Sequence, residues 1–193
     1  MLAGIFATHG DPPLWRRAPG FTTLVHIILE QQVSLKSAKS MLVRLQNAVD
    51  PFTPSRFIEL GDNYFRSLGV TRQKSAYLLH LSECIASGEL SFTKLARMSD
   101  EDARLTLTRI KGIGSWSADV YLLMAMRRAD IWPAGDLALA VAMKDLKGLR
   151  HRPGPEELER LAENWRPHRA VAARMLWQYY LGQRSSTQKA QNS

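Results

Sequence analysis

The sequence predicts an all-α protein with two helical lobes around a cleft. Apolar residues recur at helical spacing almost throughout, as at Phe21, Leu24, Val25, Ile28 and Leu29. No long run of Val, Ile and Thr alternates with polar residues, so no strand is predicted. The length of 193 residues suits one domain or two small lobes that share a core.

Local signals support the individual helices in order. Thr71 is a predicted N-cap for a helix that ends near Gly88, and Ser99 or Asp100 caps another. Pro- and Gly-rich segments separate the helices near residues 11–13, 19–20, 51–54 and 153–155. Four later helices are predicted near 115–127, 136–147, 155–164 and 167–181.

These elements suggest the following division of the chain. One lobe spans 21–128 and contains a helical hairpin at about 105–127, and the other combines 1–20 with 129–182. The polar, apolar-poor tail at 183–193 is predicted to be disordered.

Composition narrows the class of protein. The formal charge of +8 and the pI near 9.9 indicate a polyanionic partner, most simply nucleic acid. A single cysteine, Cys84, excludes a disulfide framework and a Cys-ligated iron–sulfur cluster. There is neither an apolar run of the ~18–20 residues that a membrane span needs nor a secretory signal, so we expect a cytoplasmic protein.

The most informative segment is a helix–turn–helix pattern at 107–118. Gly112 and Gly114 allow backbone amides to approach a phosphate, Lys111 adds charge at the turn, and Ser117 lies in the helix that follows. On spacing alone, a plain chain reversal is an equally good interpretation.

Residues 110–118 resemble the helix–hairpin–helix of the HhH-GPD superfamily of DNA glycosylases. Members of that superfamily carry a catalytic Asp downstream, and Asp136 follows Gly114 by 22 residues. The resemblance extends over 21–181 and is strongest to the 3-methyladenine DNA glycosylase II (alkylbase) branch, which the run at 28–34 also resembles. Lys111 departs from the Pro that many members carry.

The resemblance implies a role for Asp136 as the carboxylate that stabilises an oxocarbenium-like transition state. An N-cap is the alternative interpretation, and both can hold. Trp116 occupies the position of the lysine nucleophile of bifunctional members. A monofunctional enzyme without AP-lyase activity is therefore expected, with no required cofactor and no iron–sulfur cluster.

Further site residues follow from the same resemblance. Trp116 and Trp177 are expected to line the substrate pocket, although core packing is the alternative for each. Trp177 lies off the stripe of Val171, Met175 and Tyr179 that the helical spacing predicts to be buried.

Gln32 is expected to be the DNA wedge or, alternatively, a polar residue at a helix end. Lys111, Gly112, Gly114 and Ser117 are expected to bind DNA phosphate, and the main-chain carbonyls of Thr108, Ile110 and Ile113 to hold Na⁺ or K⁺.

The predicted function is base excision repair of alkylated purines, of the 3-methyladenine and 7-methylguanine type, in damaged double-stranded DNA. We expect a monomer, associated with the nucleoid if the source is bacterial. Two alternatives remain at this point: a non-catalytic helix–hairpin–helix protein that binds DNA structures, and a glycosylase for deaminated or oxidised bases.

The charge distribution predicts strongly salt-dependent DNA binding. Residues 144–193 carry ten Lys or Arg against five Asp or Glu, a local charge of +5. If about 4–6 phosphates are neutralised, a plot of log affinity against log salt should have a slope of about −4 to −5. Fluorescence anisotropy with a labelled duplex over a salt series measures this slope, and a slope near zero would contradict the prediction.

Overall fold

The computed structural model describes the backbone of residues 1–191 and the side chains of residues 1–184. Over this part of the chain, eleven α-helices and one short 3₁₀-helix form, and no strand does, which confirms the all-α prediction. The helices are α1 (Leu2–His9), α2 (Phe21–Glu30), α3 (Leu35–Ala48), α4 (Pro54–Ser67), α5 (Arg72–Ala86), α6 (Phe92–Arg97), α7 (Asp100–Thr108), α8 (Ser115–Met124), α9 (Leu137–Lys147), α10 (Pro155–Ala162) and α11 (Arg169–Gln191), with the 3₁₀-helix at Glu163–Trp165.

The chain divides into two compact units. The discontinuous unit comprises Met1–Arg16 and Arg127–Ser193, and the continuous unit comprises Arg17–Met126. The division predicted from the sequence, 21–128 against 1–20 plus 129–182, sets its boundaries a few residues further along the chain.

The core of the continuous unit forms around α2. Leu24, Val25, Ile27 and Ile28 are fully buried because α3, α5 and α8 all pack against this helix. A helix that is apolar on nearly every side must be covered on nearly every side. One end of the core is aromatic, with ring centroids 4.8–5.9 Å apart among Phe21, Phe52, Phe57 and Phe65.

The core of the discontinuous unit forms where α11 packs against α1 and α9. The stripe predicted for this helix is wrong at Val171, which is 49% exposed, whereas Trp177, which lies off that stripe, is only 8% exposed, as its core-packing alternative predicts. With a helix packed on each of two sides, α11 buries a continuous run from Ala172 to Trp177, and a single helical stripe cannot describe that face.

Helix α11 also continues beyond the point where the sequence predicted disorder. Its backbone is helical as far as Gln191, whereas the disordered tail was predicted to start at residue 183. No Gly or Pro follows Gly182, and Gln, Arg, Lys and Ala favour helix, which explains the continuation. Residues 192–193 of the predicted tail lie outside the described residues.

Side-chain caps define where several helices begin. The Thr71 hydroxyl accepts a hydrogen bond from the amide of Lys74 at 3.3 Å, and the Ser99 hydroxyl accepts one from the amide of Asp102 at 3.1 Å. Both caps had been predicted, Ser99 as one of two candidates, and each satisfies a backbone donor that has no partner within its helix. None of the described helices is long and apolar enough to cross a membrane.

Cys84 lies in the core and should be chemically silent in the folded protein. It is 2% exposed, and burial, reinforced by the carboxylates of Glu89 and Glu83, raises the pKa of its thiol to about 11. The reactive thiolate is therefore scarce at pH 8. We expect Ellman's reagent to label Cys84 only when the protein unfolds, so labelling over a urea series should follow the loss of helical circular dichroism. Rapid labelling without denaturant would contradict this burial.

Candidate active site and nucleic-acid interface

The predicted hairpin is present in the continuous unit between α7 and α8. Ile110 and Ile113 are each 3% exposed and anchor the turn in the core, whereas Lys111 between them faces solvent. The Ile110 amide donates to the Leu107 carbonyl at 3.1 Å, and the Ile113 amide donates to the Ile110 carbonyl at 2.9 Å. The turn is thus held by its own backbone while its charged residue remains accessible.

Gly112 is required by both conformation and space. Its φ of +91° lies in the region that side chains rarely adopt, and a Cβ placed there would lie 2.2 Å from Cγ of Tyr77. The Tyr77 ring on α5 therefore packs directly beneath the turn. Of the two hairpin glycines, this one serves chain geometry, because the Cβ position of Gly114 is open.

Gly114 begins α8 without a capping side chain. The first hydrogen bond within the helix runs from the Ala118 amide to the Gly114 carbonyl at 3.0 Å. The amides of residues 115–117 come before this bond and therefore have no acceptor within the helix. Gly114 and Ser115 are exposed, which makes this helix start accessible to a phosphate.

Ser117 contributes differently from what the sequence suggested. Its side chain is buried, at 2% exposure, and its hydroxyl accepts a hydrogen bond from Nε2 of Gln31 at 3.0 Å. Because this hydroxyl lies in the interior of the unit, a phosphate contact by Ser117 would use its main-chain amide. That Ser117 binds DNA phosphate stays a prediction.

Gln32 follows the end of α2 in an unusual backbone conformation. Its φ is +57°, and its side chain is exposed. Gln31, just before it, was missed by sequence reasoning: its Nε2 donates to the Gly112 carbonyl at 2.7 Å as well as to Ser117. Two adjacent glutamines look alike in a sequence, and only the fold shows that they point to different places.

Asp136 lies in the discontinuous unit as the N-cap of α9. Its side chain is buried, and Oδ1 accepts hydrogen bonds from the Leu139 amide at 3.0 Å and from Nε1 of Trp177 at 3.0 Å. The N-cap interpretation is thus confirmed, and the structure also brings together two predicted site residues, Asp136 and Trp177. A cap orients the carboxylate without preventing it from acting in catalysis.

The segment before Asp136 is fixed by packing and by a tight turn. Trp132 is 1% exposed and packs against Trp165, with ring centroids 5.6 Å apart. The Asp136 amide then donates to the Pro133 carbonyl at 2.9 Å, which closes the turn directly before α9. This anchoring defines the backbone position from which the carboxylate projects.

Arg169 at the start of α11 holds the other end of that segment. Its guanidinium binds both carboxylate oxygens of Asp130, at 2.9 and 3.0 Å, and Glu159 at 2.6 Å. Burial acts to raise the pKa of Asp130, but the hydrogen bonds and charge of Arg169 outweigh it and lower that pKa. The segment 130–136 is therefore tied to α11 at both ends, through Asp130–Arg169 and Asp136–Trp177.

Trp15 is a second residue that sequence reasoning missed. Its ring meets that of Trp177 edge to face, with centroids 6.2 Å apart. Its φ of +42° is rare for a tryptophan, and Arg174 binds the Leu14 carbonyl directly before it. The Pro-rich segment around Trp15 carries no periodicity that could have indicated this contact.

The remaining predicted site residues lie in the continuous unit. Trp116 is half-buried in the first turn of α8. The Ile110 carbonyl accepts a hydrogen bond from the Ile113 amide and has a second lone pair that could bind a cation. This is compatible with the prediction that the carbonyls of Thr108, Ile110 and Ile113 are cation ligands. Among the described residues, no group of three or more His, Cys, Asp or Glu side chains could hold a metal ion.

Comparison with known proteins identifies the family. The model of the HhH-GPD superfamily of base excision DNA repair proteins matches residues 25–167, and the chain belongs to this superfamily. A DNA-3-methyladenine glycosylase of Bacillus subtilis is 28% identical over 81% of this chain and 56% of its own length. The chain spans 56–64% of the length of this protein and two other curated relatives.

Solved structures agree with this assignment. A DNA-3-methyladenine glycosidase from Bacillus halodurans has a TM-score of 0.78 at 29% identity, covering 93% of this chain and 83% of that one. The 3-methyladenine DNA glycosylase Mag1 of Schizosaccharomyces pombe, in complex with abasic DNA, has a TM-score of 0.82 at 24% identity, covering 91% and 88%. The latter shows that the fold is the same.

The Asp130–Arg169 pair predicts a specific acid dependence of stability. Since the pKa of Asp130 is lowered in the folded state, the pair stabilises above the ordinary carboxyl pKa of about 3.9 and loses this effect as the pH falls through the lowered value. Asp130→Asn should reduce the free energy of unfolding by about 2–3 kcal/mol at pH 7, because Arg169 stays buried.

Urea unfolding of wild type and variant at pH 7 and pH 3 measures this difference, which should shrink at pH 3. Asp62→Asn, in the exposed pair with Arg66, is the matched control and should cost at most about 1 kcal/mol. An Asp130→Asn difference of equal size at both pH values would show that the charge of Asp130 is not responsible.

Proposed function

We propose that this chain is a DNA glycosylase that hydrolyses the N-glycosidic bond of alkylated purines, of the 3-methyladenine and 7-methylguanine type, in duplex DNA. The observation that carries this proposal is the buried Asp136 carboxylate joined to the indole of Trp177. Membership of the superfamily and relatives named 3-methyladenine glycosylases support the same substrate class.

Asp136 has the chemistry that this reaction needs. When the bond between C1′ and the base nitrogen breaks, positive charge develops on the sugar, and a fixed carboxylate stabilises it most where water is scarce. The Leu139 amide and the Trp177 indole orient the Asp136 carboxylate, so little reorganisation is needed as the charge appears. The carboxylate can also orient the water that attacks C1′.

The aromatic side chains suit a base that is already cationic. A purine alkylated at a ring nitrogen carries positive charge, which weakens its glycosidic bond and attracts it to an aromatic face. Trp177 and its neighbour Trp15 supply such rings beside Asp136, and the indole N–H of Trp177 is already used by the carboxylate. We propose Trp116 as a further aromatic contact for the base.

We further propose a monofunctional reaction that leaves an abasic site. Trp116 stands where bifunctional members of the superfamily carry their lysine nucleophile, and an indole cannot form a Schiff base. Water is then the nucleophile, and the DNA backbone remains intact. No organic cofactor is needed for this hydrolysis.

The partner is double-stranded DNA, which the accessible hairpin would grip by its phosphates. Lys111 supplies charge, and the amides at the start of α8 supply donors. If Thr108, Ile110 and Ile113 hold Na⁺ or K⁺, the ion supplies charge for a phosphate contact. Gln32 is the proposed wedge that fills the gap in the base stack once the damaged base is flipped out. The protein is proposed to act as a monomer.

The test is base release from methylated duplex DNA by wild type, Asp136→Asn and Asp145→Asn. Asparagine caps a helix as well as aspartate does, and its amide oxygen can accept from Leu139 and Trp177, so the negative charge is removed while these two hydrogen bonds are kept. We expect at least about 100-fold slower release by Asp136→Asn. Asp145→Asn makes the same change on an exposed position of α9 and should match wild type.

An alkali step after the reaction reveals the product. Strand breaks that appear only after alkali indicate a monofunctional enzyme, whereas breaks without alkali would contradict that part of the proposal. DNA binding by wild type without release of any methylpurine would refute the proposed activity. A panel of deaminated and oxidised bases would then separate a different substrate from a purely binding protein.

A further inference from the structure

Gln31 connects the end of α2 with the hairpin between α7 and α8, two segments about 80 residues apart in the chain. Its Nε2 carries two protons, and both are used: one reaches the Gly112 carbonyl at 2.7 Å and the other the Ser117 hydroxyl at 3.0 Å. Gly112 lies in the hairpin turn and Ser117 in the first turn of α8. The residue that follows Gln31 in the chain is the proposed wedge, Gln32.

The backbone sends these two adjacent glutamines in different directions. Gln31 is extended, with φ −60° and ψ 124°, and Gln32 then turns into the left-handed region at φ +57°. Gln31 is half-buried against the hairpin, whereas Gln32 is exposed. A left-handed conformation in a non-glycine residue costs free energy, so surrounding contacts must maintain it.

The hydrogen bonds of Gln31 fix the part of the hairpin that orients its amides. The peptide between Gly112 and Ile113 is held at both ends: its carbonyl accepts from Gln31, and its N–H donates to the Ile110 carbonyl. Its plane therefore cannot rotate freely. Through Ser117, the same side chain also fixes the helix start that follows.

Helix α5 contacts both the C-terminal end of α2 and the hairpin. Nζ of Lys74 donates to the Leu29 carbonyl at 2.7 Å, at the C-terminal end of α2. One turn further along α5, the Tyr77 ring occupies the space next to Gly112. The end of α2 and the hairpin thus both rest on α5, and the side chain of Gln31 joins them by hydrogen bonds.

We infer that Gln31 is a positioning residue that sets the wedge in register with the phosphate-binding hairpin. When the hairpin holds its phosphates, the link through Gln31 fixes where the backbone of Gln32 lies against the base stack. Phosphate binding and wedge insertion then occur as one rigid step. This inference rests on the proposed function in requiring DNA as the ligand and Gln32 as the wedge, but it does not require a particular damaged base.

The test follows wedge insertion directly, with a duplex that carries 2-aminopurine opposite an abasic-site analogue. Insertion unstacks the 2-aminopurine and raises its fluorescence. Gln31→Met keeps the length of the side chain but removes both donors, so the signal at saturating protein should fall about 5- to 10-fold, with less than a 3-fold change in Kd for undamaged duplex. Gln46→Met makes the same change on the exposed face of α3 and should match wild type.

Two further variants distinguish positioning from general damage to the fold. Ser117→Ala removes one of the two acceptors without removing Gln31, and an intermediate loss of signal is expected. In a Gln32→Ala background there is no wedge to position, so adding Gln31→Met should change methylpurine release less than 2-fold. Thermal unfolding of each variant verifies that it is folded.

The outcomes separate this inference from the proposed activity. A full fluorescence signal from folded Gln31→Met, or an undiminished effect of that change in the Gln32→Ala background, overturns the positioning role. Absence of the signal with wild type also overturns it. A signal that depends on Gln31 in a protein that releases no methylpurine would support the link while refuting the proposed substrate.

Discussion

The hydrogen bond from the Trp177 indole to Asp136 joins the two features on which the proposed chemistry depends. The carboxylate is buried, and a buried charge is costly unless donors surround it. The indole and the amide of Leu139 at the start of α9 both donate to this carboxylate. The same contact that stabilises the charge in the folded protein therefore also aims it, and one helix, α11, supplies the aromatic partner.

That contact depends on a longer chain of anchors within the discontinuous unit. Arg169 clamps Asp130 at the beginning of α11, Trp132 packs on Trp165, and the turn after Pro133 delivers the backbone to Asp136. Each anchor is buried or paired, so the carboxylate is held by rigid surroundings rather than by a mobile loop. Preorganisation of this kind is what electrostatic stabilisation of a transition state requires.

The continuous unit meets a different requirement under the proposed function, which is to present backbone donors to DNA phosphates without exposing its core. Ile110 and Ile113 bury the sides of the turn, and Tyr77 fills the space that Gly112 leaves open. Because Ile110 and Ile113 anchor the turn in the core, the side chain of Lys111 can remain exposed to solvent. The hydrogen bonds of Gln31 extend this rigidity to the end of α2.

The sequence alone determined the helical class, the helix–turn–helix pattern and the capping role of Asp136, because these depend on periodicity and on the placement of glycine and capping residues. The proposed catalytic role of Asp136 came instead from the resemblance to the superfamily. Only the tertiary structure decided the roles of Gln31, Ser117 and Trp15, and it showed that Val171 is exposed where the stripe predicts burial and that Trp177 is buried. Spacing describes one face of one helix, whereas these residues are defined by contacts with segments distant in the chain. A helix packed on two sides, or two glutamines that diverge at a left-handed residue, leaves no periodic signal.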